Sequence, residues 1–276
     1  MKRVSIQGIK GSFHEDATLK YFEDKEVEII ECSTFKEAVE LVDNDKVDLC
    51  VMAIENSIAG SLLGNYSLMR QYHLRIIGEV YLHIEMNLLM NKGSICSDIK
   101  EIHSHPIALK QCIEFIQKDF PDAVLLEKSD TAGAAKALRD SKRKDVATIG
   151  NVRTSELYDL NIMEKGIETN KRNYTRFLIL TKKSNGIVSS NKTSICFECG
   201  HYHGSLANVL MIFSEYEINL TKIQSIPILG RPEEYSFHVD LEYDNREKYE
   251  KAIHKVLKNV SSLSILGEYK KGAMPR

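Results

Sequence analysis

The sequence predicts an α/β protein built from two successive domains, and three observations support this. Over the first two thirds of the chain, apolar strand-like segments alternate with helix-like segments, which is typical of a sheet covered by helices. From Thr193 onward the order becomes strand, helix, strand, strand, helix, strand, which is the ferredoxin-like βαββαβ order. The length of 276 residues also suits two domains better than one.

In the first part, the predicted strands and helices follow one another at short intervals. In chain order they are the strand VSIQG, a helix over 12–22, the strand VEIIEC, a helix over 34–42, the strands VDLCVMAI, RIIGEVYL, HIEMNLLM and EIHSH, a helix over 106–117, the strand AVLLEK, a helix over 131–138, and the strands VATIG and NYTRFLILTK. The helix starts agree with residues that favour the N-cap position. These residues are Ser12, Ser33 or Thr34, Ser57, Ser104 and Asp130.

A polar, unpatterned stretch at 184–192 predicts a linker, and the second part follows it at 193–276. Its predicted elements are the strand TSICFEC, a helix over 206–216, the strands INLTKIQSI and YSFHVDLE, a helix over 246–260, and the strand SLSILGEY. Both helices carry an apolar stripe at helical spacing, so each is expected to pack one face against the sheet.

Composition narrows the class of partner. The formal net charge is −2 and the charges are interspersed, so no extended field attracts nucleic acid or anionic lipid, and we expect a small-molecule partner. No apolar run approaches the roughly 20 residues of a membrane helix, and Met1 leads directly into a strand, so we expect neither an anchor nor a targeting segment. Six scattered cysteines then favour reduced thiols and a cytoplasmic location.

One cysteine spacing superficially resembles a metal site. Cys196 and Cys199 are followed by His201 and His203, which are ligand types that zinc accepts. However, the segment that holds both cysteines is predicted as a strand, where residues three apart point to opposite faces. We therefore expect no metal here, and the cysteines are expected to be small core side chains.

Three polar stretches stand where ligands bind in open α/β sheets. The glycine-rich GIKGSFH at 8–14 permits a tight turn from a strand into a helix, whose first N–H groups can face an anion. The residues ENS at 55–57 follow an apolar strand, at the strand end that faces the ligand crevice. The residues SHP at 104–106 suit a helix start, where His105 is either a neighbour of the cap or a proton donor. Each stretch also has a structural explanation as a turn or cap.

Two further stretches complete the set. The segment DTAGAA at 130–135 is a capped helix start whose small residues allow close approach of a ligand or another backbone. Arg176 is flanked by apolar residues in a predicted strand, and burying its charge unpaired would be costly. It therefore needs an anionic partner, which is either a structural carboxylate or the ligand.

Together these five stretches resemble, in order, the motifs of the prephenate dehydratase family. The resemblance covers nearly the whole chain, because the βαββαβ segment is similar to the ACT domain that these enzymes carry. The matching residues are the glycine-rich opening at 8–17, the ENS segment Glu55, Asn56 and Ser57, the SHP motif Ser104, His105 and Pro106, the complete DTAGAA at 130–135, and the signature Thr175, Arg176 and Phe177 with Asn173 before it.

The resemblance implies an α/β catalytic domain at 1–183 with two lobes similar to periplasmic binding proteins. One lobe would comprise 1–78 and 167–183, and the other 79–166, with the substrate in the cleft between them. An ACT regulatory domain with the ferredoxin-like fold would follow at 193–276. A lyase of phenylalanine biosynthesis is implied, which converts prephenate to phenylpyruvate, water and carbon dioxide without a metal or organic cofactor.

The family's motifs also imply roles for single residues. Thr175 would lie beside the leaving hydroxyl, with Glu55 or His105 as a stronger acid behind it. Arg176 would hold a substrate carboxylate, helped by N–H groups near Ser12, Ser57 and Ser104. The remaining residues would position the substrate, although Phe177 is as well explained by packing. The full set of implied substrate contacts is Ser12, Phe13, Asn56, Ser57, Ser104, Thr131, Asn173, Arg176 and Phe177.

In the ACT domain, the resemblance implies a phenylalanine site at the interface of a homodimer or homotetramer. The family's first effector motif is similar to Gly204, Ser205 and Leu206, with Asn208 nearby. The second is similar to Gln224, Ser225, Ile226 and Pro227, which lack the Glu and Arg of the family's ESRP motif. Backbone groups around Leu206 are therefore expected to take over part of the binding.

Two alternatives remain open at the level of sequence. An arogenate dehydratase would act on the amino counterpart of prephenate through the same motifs. A non-catalytic sensor would hold a small anion in the cleft and an amino acid in the ACT domain, although the presence of both Thr175 and Arg176 disfavours it. Comparing turnover of prephenate with that of arogenate would separate the two enzymes.

Overall fold

The structure of the chain is a computed structural model, and it describes residues 1–23, 25–183, 189–228 and 230–274. Most of the predicted linker at 184–192, namely 184–188, lies outside the described residues. The chain divides into two compact units. The first contains Met1–Tyr72 and Val80–Leu178, and the second contains His73–Glu79 and Ile179–Ala273.

The elements up to residue 181 form a mixture of strands and helices. In chain order they are β1 (Lys2–Gln7), α1 (Phe13–Phe22), β2 (Val27–Cys32), α2 (Phe35–Asp43), β3 (Leu49–Asn56), β4 (Gly60–Ser61), α3 (Leu63–Gln71), β5 (Arg75–His83), β6 (Asn87–Met90), β7 (Glu101–Ser104), α4 (Pro106–Gln111), α5 (Ile113–Asp119), β8 (Val124–Glu127), α6 (Thr131–Ser141), β9 (Val146–Gly150), α7 (Val152–Leu157), β10 (Asn161–Glu164) and β11 (Tyr174–Thr181).

These strands form two open sheets. The first has the order β2-β1-β3-β11-β5, with β4 paired to β3, and its β1 runs parallel to both β2 and β3. The second has the order β10-β6-β9-β7-β8, in which β7 runs parallel to β8 and β9. Strand β3 is buried over its apolar length and becomes half-buried only at Glu55 and Asn56. The first sheet therefore brings polar side chains to the end of a buried strand, where a ligand can reach them.

The second unit contains the predicted βαββαβ segment. Its elements are β12 (Lys192–Glu198), α8 (Ser205–Glu215), β13 (Asn219–Pro227), β14 (Tyr235–Glu242), α9 (Arg246–Leu257) and β15 (Ser262–Tyr269). The strands form an antiparallel sheet in the order β13-β14-β12-β15. Buried residues of both helices, including Phe213 and Val256, pack with Phe197 of the sheet in one core. The predicted element order is confirmed, and so are the helix stripes except at Leu257, which is exposed.

Several helix starts are confirmed and two are wrong. The side chains of Ser12, Thr34 and Asp130 each accept an N–H bond in the first turn of their helix. Ser57 caps no helix, because the chain turns there into β4 and α3 begins only at Leu63. The cap of α4 is His105 and not Ser104, whose hydroxyl is buried in β7.

Other differences concern short elements. The single helix expected over 106–117 is divided at Cys112 into α4 and α5. The sequence analysis also missed α3, α7, β4 and β10, since none of them carries an apolar stripe or alternation long enough to be recognised. Over the described ranges, no helix is long and apolar enough to cross a membrane.

Candidate active site

Asn56, the last residue of β3, is the centre of a polar network. Its Nδ2 donates to Thr175 Oγ1 at 2.9 Å and to Asn173 Oδ1 at 2.7 Å. Its Oδ1 accepts the backbone N–H groups of Ile58 and Ala59 at 2.9 and 2.8 Å. Because two N–H groups bind the oxygen, the orientation of the amide is fixed. Asn56 therefore presents a hydrogen-bond donor to the threonine and not an acceptor.

Ser57 joins the end of β3 to the start of β11. Its backbone N–H donates to the carbonyl of Tyr174 at 2.8 Å, and its Oγ accepts the N–H of Tyr174 at 2.9 Å. The same hydroxyl donates to the carbonyl of Arg172 at 2.8 Å. These bonds explain why Ser57 caps no helix, because its side chain already satisfies the backbone that leads to Thr175.

Gln111, at the end of α4, belongs to the same network and was missed from the sequence. Its Oε1 accepts from Asn173 Nδ2 at 3.1 Å, and its Nε2 lies 3.5 Å from Asn56 Oδ1. Both Gln111 and Asn173 are buried. The network thus links α4, the helix that follows β7 of the second sheet, to β3 and β11 of the first sheet. An uncharged polar residue on the buried face of a predicted helix was the signal available for it.

Arg176 has a carboxylate partner within the protein. Its guanidinium is only 3% exposed and lies 3.4 Å from Glu55 Oε1, with its centre 6.0 Å from the centroid of the Tyr81 ring. Successive strand residues point to opposite faces. The Glu55–Arg176 pair therefore lies on the opposite face of the sheet from the Asn56–Thr175 pair. Glu55 is thus a structural carboxylate partner of Arg176.

Phe177 packs inside the first sheet's core and is 1% exposed. Its ring meets the ring of His14 edge-on, with 5.0 Å between the ring centroids, and His14 is also 5.4 Å from the Phe35 ring. The backbone N–H of Ala53 donates to His14 Nε2 at 3.3 Å. Burial lowers the pKa of His14 to about 4, so this histidine is neutral at physiological pH. We identify His14 as a packing residue.

His105 caps α4 and also carries a ring N–H that can donate a hydrogen bond. Its Nδ1 accepts the N–H of Ile107 at 3.2 Å, which leaves the proton of the neutral ring on Nε2. Burial lowers the pKa of His105, and the carboxylates of Asp130 and Glu127 oppose this shift in part. At neutral pH the ring is therefore predominantly neutral, with an N–H available as a donor.

The other predicted site residues lie at helix starts. Ser12 caps α1, Thr131 is the first residue of α6, Ser104 Oγ donates to the carbonyl of Ile149 at 3.2 Å, and Phe13 packs against the core of the second sheet. In the described part of the chain, none of these four side chains hydrogen-bonds to the Asn56 network. The structure therefore brings together Glu55, Asn56, Ser57, Asn173, Thr175 and Arg176. Ser12, Phe13, His105 and Thr131 lie at helix starts, Ser104 ends β7, and Phe177 lies in the core.

A polar contact between α1 and α7 was also missed. Asn151 Nδ2 donates to Asp16 Oδ2 at 2.6 Å, and Arg153 Nε donates to Glu15 Oε2 at 3.0 Å. Burial raises the pKa of Asp16 to about 6, against the opposing effect of the Arg153 charge. The glycine-rich opening takes part, because the N–H of Gly11 donates to Glu15 Oε2 at 2.7 Å. Helices of both sheets are thereby joined through charged groups.

A cavity of about 520 Å³ adjoins this network. Aliphatic side chains form much of its wall, together with a few polar and charged residues. The lining residues are Ile58, Ala59, Ile107, Lys110, Gln111, Ile113, Glu114, Thr169 and Asn170. Gln111 belongs to both the cavity wall and the hydrogen-bond network, so a ligand in the cavity would lie next to the groups that hold Thr175.

In the second unit, the predicted effector residues occupy the start of α8 and one edge strand. Gly204 precedes α8 with a φ of +82°, a conformation that favours glycine. Ser205, Leu206 and Asn208 lie in the first turn of that helix. The residues Gln224, Ser225, Ile226 and Pro227 end the edge strand β13.

Cys196, Cys199, His201 and His203 precede this helix and are ligand types that a metal ion accepts. Cys196 is buried in β12, whereas Cys199 is half-buried after the strand ends. None of the six cysteines, all of which lie among the described residues, forms a disulfide. Within residues 1–23, 25–183, 189–228 and 230–274, no group of three or more His, Cys, Asp or Glu side chains is placed to hold a metal ion.

An open α/β fold with a fixed polar network at a strand end is typical of enzymes that act on small molecules. A family model described as prephenate dehydratase matches residues 4–185. The chain therefore belongs to the prephenate dehydratase family, and it is an enzyme. The family resemblance seen in the sequence is confirmed.

Curated relatives and a solved structure agree with this assignment. The chain is 36% identical to prephenate dehydratase of Methanocaldococcus jannaschii, covering 94% of this chain and 95% of that protein. It is 34% identical to arogenate dehydratase/prephenate dehydratase 2 of Arabidopsis thaliana, a chloroplastic protein, covering 97% of this chain and 72% of that protein. A crystal structure of prephenate dehydratase from Arthrobacter aurescens in complex with L-Phe superimposes with a TM-score of 0.87 at 24% identity. The match covers 97% of this chain and 90% of that one. The predicted fold class is confirmed.

Proposed function

We propose that this chain converts prephenate to phenylpyruvate, water and carbon dioxide in the biosynthesis of phenylalanine. The observation that carries the proposal is the hydrogen bond from Asn56 Nδ2 to Thr175 Oγ1. Because the threonine oxygen already accepts this bond, its own proton is free to be donated to a ligand. A donor aimed at the ring hydroxyl is what this reaction requires.

The reaction breaks two bonds and restores an aromatic ring. The bond between the ring and its carboxylate breaks, its electron pair enters the ring, and the hydroxyl group on the opposite ring carbon leaves with one added proton as water. Thr175 stabilises the departing oxygen by hydrogen bonding, and the bond from Asn56 strengthens this donation through polarisation. Holding the substrate in the reactive geometry supplies the rest of the catalysis.

Of the two acids considered, His105 fits the role better than Glu55, and it is the protonated minority of its ring, the imidazolium, that would transfer the proton to the departing oxygen. Glu55 is paired with Arg176 on the opposite face of the sheet from Thr175. We assign the Glu55–Arg176 pair to fixing the ends of β3 and β11, and therefore the position of Thr175. His105, Ser12, Phe13, Ser104 and Thr131 would meet the substrate from the helix starts, where N–H groups favour carboxylates.

We further propose that the second unit is an ACT domain that binds L-phenylalanine. In support, a homologous fold was solved in complex with L-Phe, and Gly204 provides no side chain to cap the first turn of α8. The N–H groups of Leu206 and Ala207 in that turn are suited to an amino-acid carboxylate, whereas those of Ser205 and Asn208 donate to the carbonyls of Tyr202 and Gly204. Effector residues on β13, namely Gln224 to Pro227, would complete the site in a homodimer or homotetramer. Cysteines without disulfides favour a cytoplasmic location.

Arogenate dehydration is the second candidate, because the Arabidopsis relative is named for both reactions. The purified chain should therefore be given prephenate and arogenate separately, with phenylpyruvate and phenylalanine measured as products. We expect a higher kcat/KM for prephenate, and a fall in this value when L-phenylalanine is added. A higher kcat/KM for arogenate would replace the proposed substrate, and an unchanged rate with L-phenylalanine would contradict the proposed regulation.

A further inference from the structure

Lys110 supplies a free positive charge to the cavity beside the Asn56 network. It is an exposed residue in the last turn of α4, and its side chain lines the 520 Å³ cavity. In the described part of the chain Lys110 makes no ion pair, although Glu114 lines the same cavity one turn further along. A cation without a partner at the wall of a pocket is available to an anionic ligand.

Arg176 is far less available. Its guanidinium is 3% exposed and Glu55 lies 3.4 Å away, so a substrate carboxylate would have to compete with a built-in anion. Taking a second carboxylate into that buried pair would also require desolvating it. Lys110 meets neither obstacle, because its ammonium is in contact with solvent.

The cavity also matches the remaining chemistry of the substrate. Its aliphatic walls, formed by Ile58, Ala59, Ile107 and Ile113, suit a hydrocarbon ring. The volume lies within the range of about 300–1,000 Å³ that small-molecule sites usually have.

The cavity wall and Thr175 are held by the same hydrogen bonds. Gln111 follows Lys110 directly and contacts Asn56, and the N–H groups of Ile58 and Ala59 bind Asn56 Oδ1. A ligand that fills the cavity therefore lies next to Asn56, the residue that hydrogen-bonds to Thr175.

We propose that Lys110 binds the carboxylate of the substrate side chain and makes the site prefer the 2-oxo acid to its amino counterpart. This inference rests on the proposed dehydratase activity. Prephenate has a neutral carbonyl next to that carboxylate, whereas arogenate has an ammonium group there. The Lys110 ammonium attracts the carboxylate of both compounds but repels the second ammonium, so it disfavours arogenate.

The test compares Lys110→Met with Lys110→Arg and with Lys118→Met, an exposed lysine of α5 that lines a different cavity. We expect Lys110→Met to raise the KM for prephenate about tenfold with kcat changed less than about twofold, as for a lost charge-assisted contact. The KM for arogenate should rise less, so the ratio of kcat/KM for prephenate to kcat/KM for arogenate should fall. Lys110→Arg should retain most of the affinity, and Lys118→Met should match the unmodified protein.

Unchanged KM values and an unchanged preference in Lys110→Met would overturn the assignment of Lys110, while leaving the proposed reaction intact. An unmodified protein that turns over neither substrate would overturn both. Thermal unfolding of each variant shows whether the fold is preserved, and an equal fall in kcat for both substrates would also contradict the binding role.

Discussion

Asn56 Nδ2 lies 2.9 Å from the Thr175 hydroxyl oxygen, and the backbone N–H groups of Ile58 and Ala59 hold the Asn56 amide in that orientation. The threonine therefore receives a hydrogen bond from one side and can donate its proton on another. This direction of donation links the structure of the strand end to the proposed chemistry, and it can be reversed by a single isosteric substitution.

Asn56→Asp should reverse the hydrogen bond to Thr175. An aspartate still accepts the N–H groups of Ile58 and Ala59, but it has no N–H, so it would accept the proton of the threonine hydroxyl. We expect kcat to fall about 100-fold, the size of effect seen when a donor to a developing oxyanion is lost. Steady-state kinetics with prephenate measures this, with Asn44→Asp, an exposed cap of α2, as the control. Unchanged kcat in Asn56→Asp would contradict the proposed role.

Asp16→Asn should make stability less dependent on pH. Burial raises the pKa of Asp16 from 3.8 to about 6, so the folded protein binds this proton more tightly than the unfolded chain does. The contribution of the protonated group is complete below pH 3.8 and is lost as pH rises through 6. Above pH 6 the variant should therefore be the more stable protein, by about 1–3 kcal/mol, and below pH 3.8 the two should be equal.

Thermal unfolding of both proteins at pH 3.5 and pH 8 tests this prediction. Asp122→Asn serves as the control, because Asp122 is exposed and should change stability little at either pH. An Asp16→Asn variant that is less stable than the unmodified protein at pH 8 would show that the Arg153 charge outweighs the cost of burial.

Lys192→Met should destabilise the second unit. Lys192 Nζ lies 3.0 Å from Glu79 Oε1, and the two side chains are 2% and 0% exposed. Removing the cation deprives the buried Glu79 carboxylate of its counterion, although it still accepts the N–H of Gly272, and breaking such a pair typically costs about 3–5 kcal/mol. Denaturant unfolding should show this loss, and the double variant with Glu79→Gln should recover most of it. Lys271→Met, which removes a half-exposed lysine, should cost far less. Equal losses of stability in Lys192→Met and Lys271→Met would contradict the conclusion that burial makes the Lys192 pair important.

Most of the fold could be predicted because its long elements carry strong periodic patterns. The apolar alternation before 181 and the stripes on α8 and α9 predict two units and their element types. The break at Cys112, the cap at His105 and the short α7 could not be predicted in the same way. These features depend on side-chain contacts with other elements, and six-residue helices carry too few residues for a pattern.

The candidate site was predictable only as a set of separate stretches. Motif order pointed to Asn56, Asn173 and Thr175, but their contact with Gln111 joins residues that are far apart in the sequence and depends on tertiary folding. The pairing of Arg176 with Glu55 could have been inferred from strand alternation. Alternation places Arg176 on the face opposite Thr175 and Glu55 on the face opposite Asn56. Lys110 gave no sequence signal, since an exposed lysine on a helix is common.

Thr175 is expected to donate to the leaving hydroxyl, and kcat for phenylpyruvate formation by Thr175→Ala and Thr175→Ser tests this role. Thr181→Ala on the same strand serves as a control for loss of a threonine. We predict a loss of at least about 100-fold for Thr175→Ala and near-normal activity for Thr175→Ser and Thr181→Ala, with the fold of each variant checked by circular dichroism. A correctly folded Thr175→Ala variant with the kcat of the unmodified protein would contradict this role.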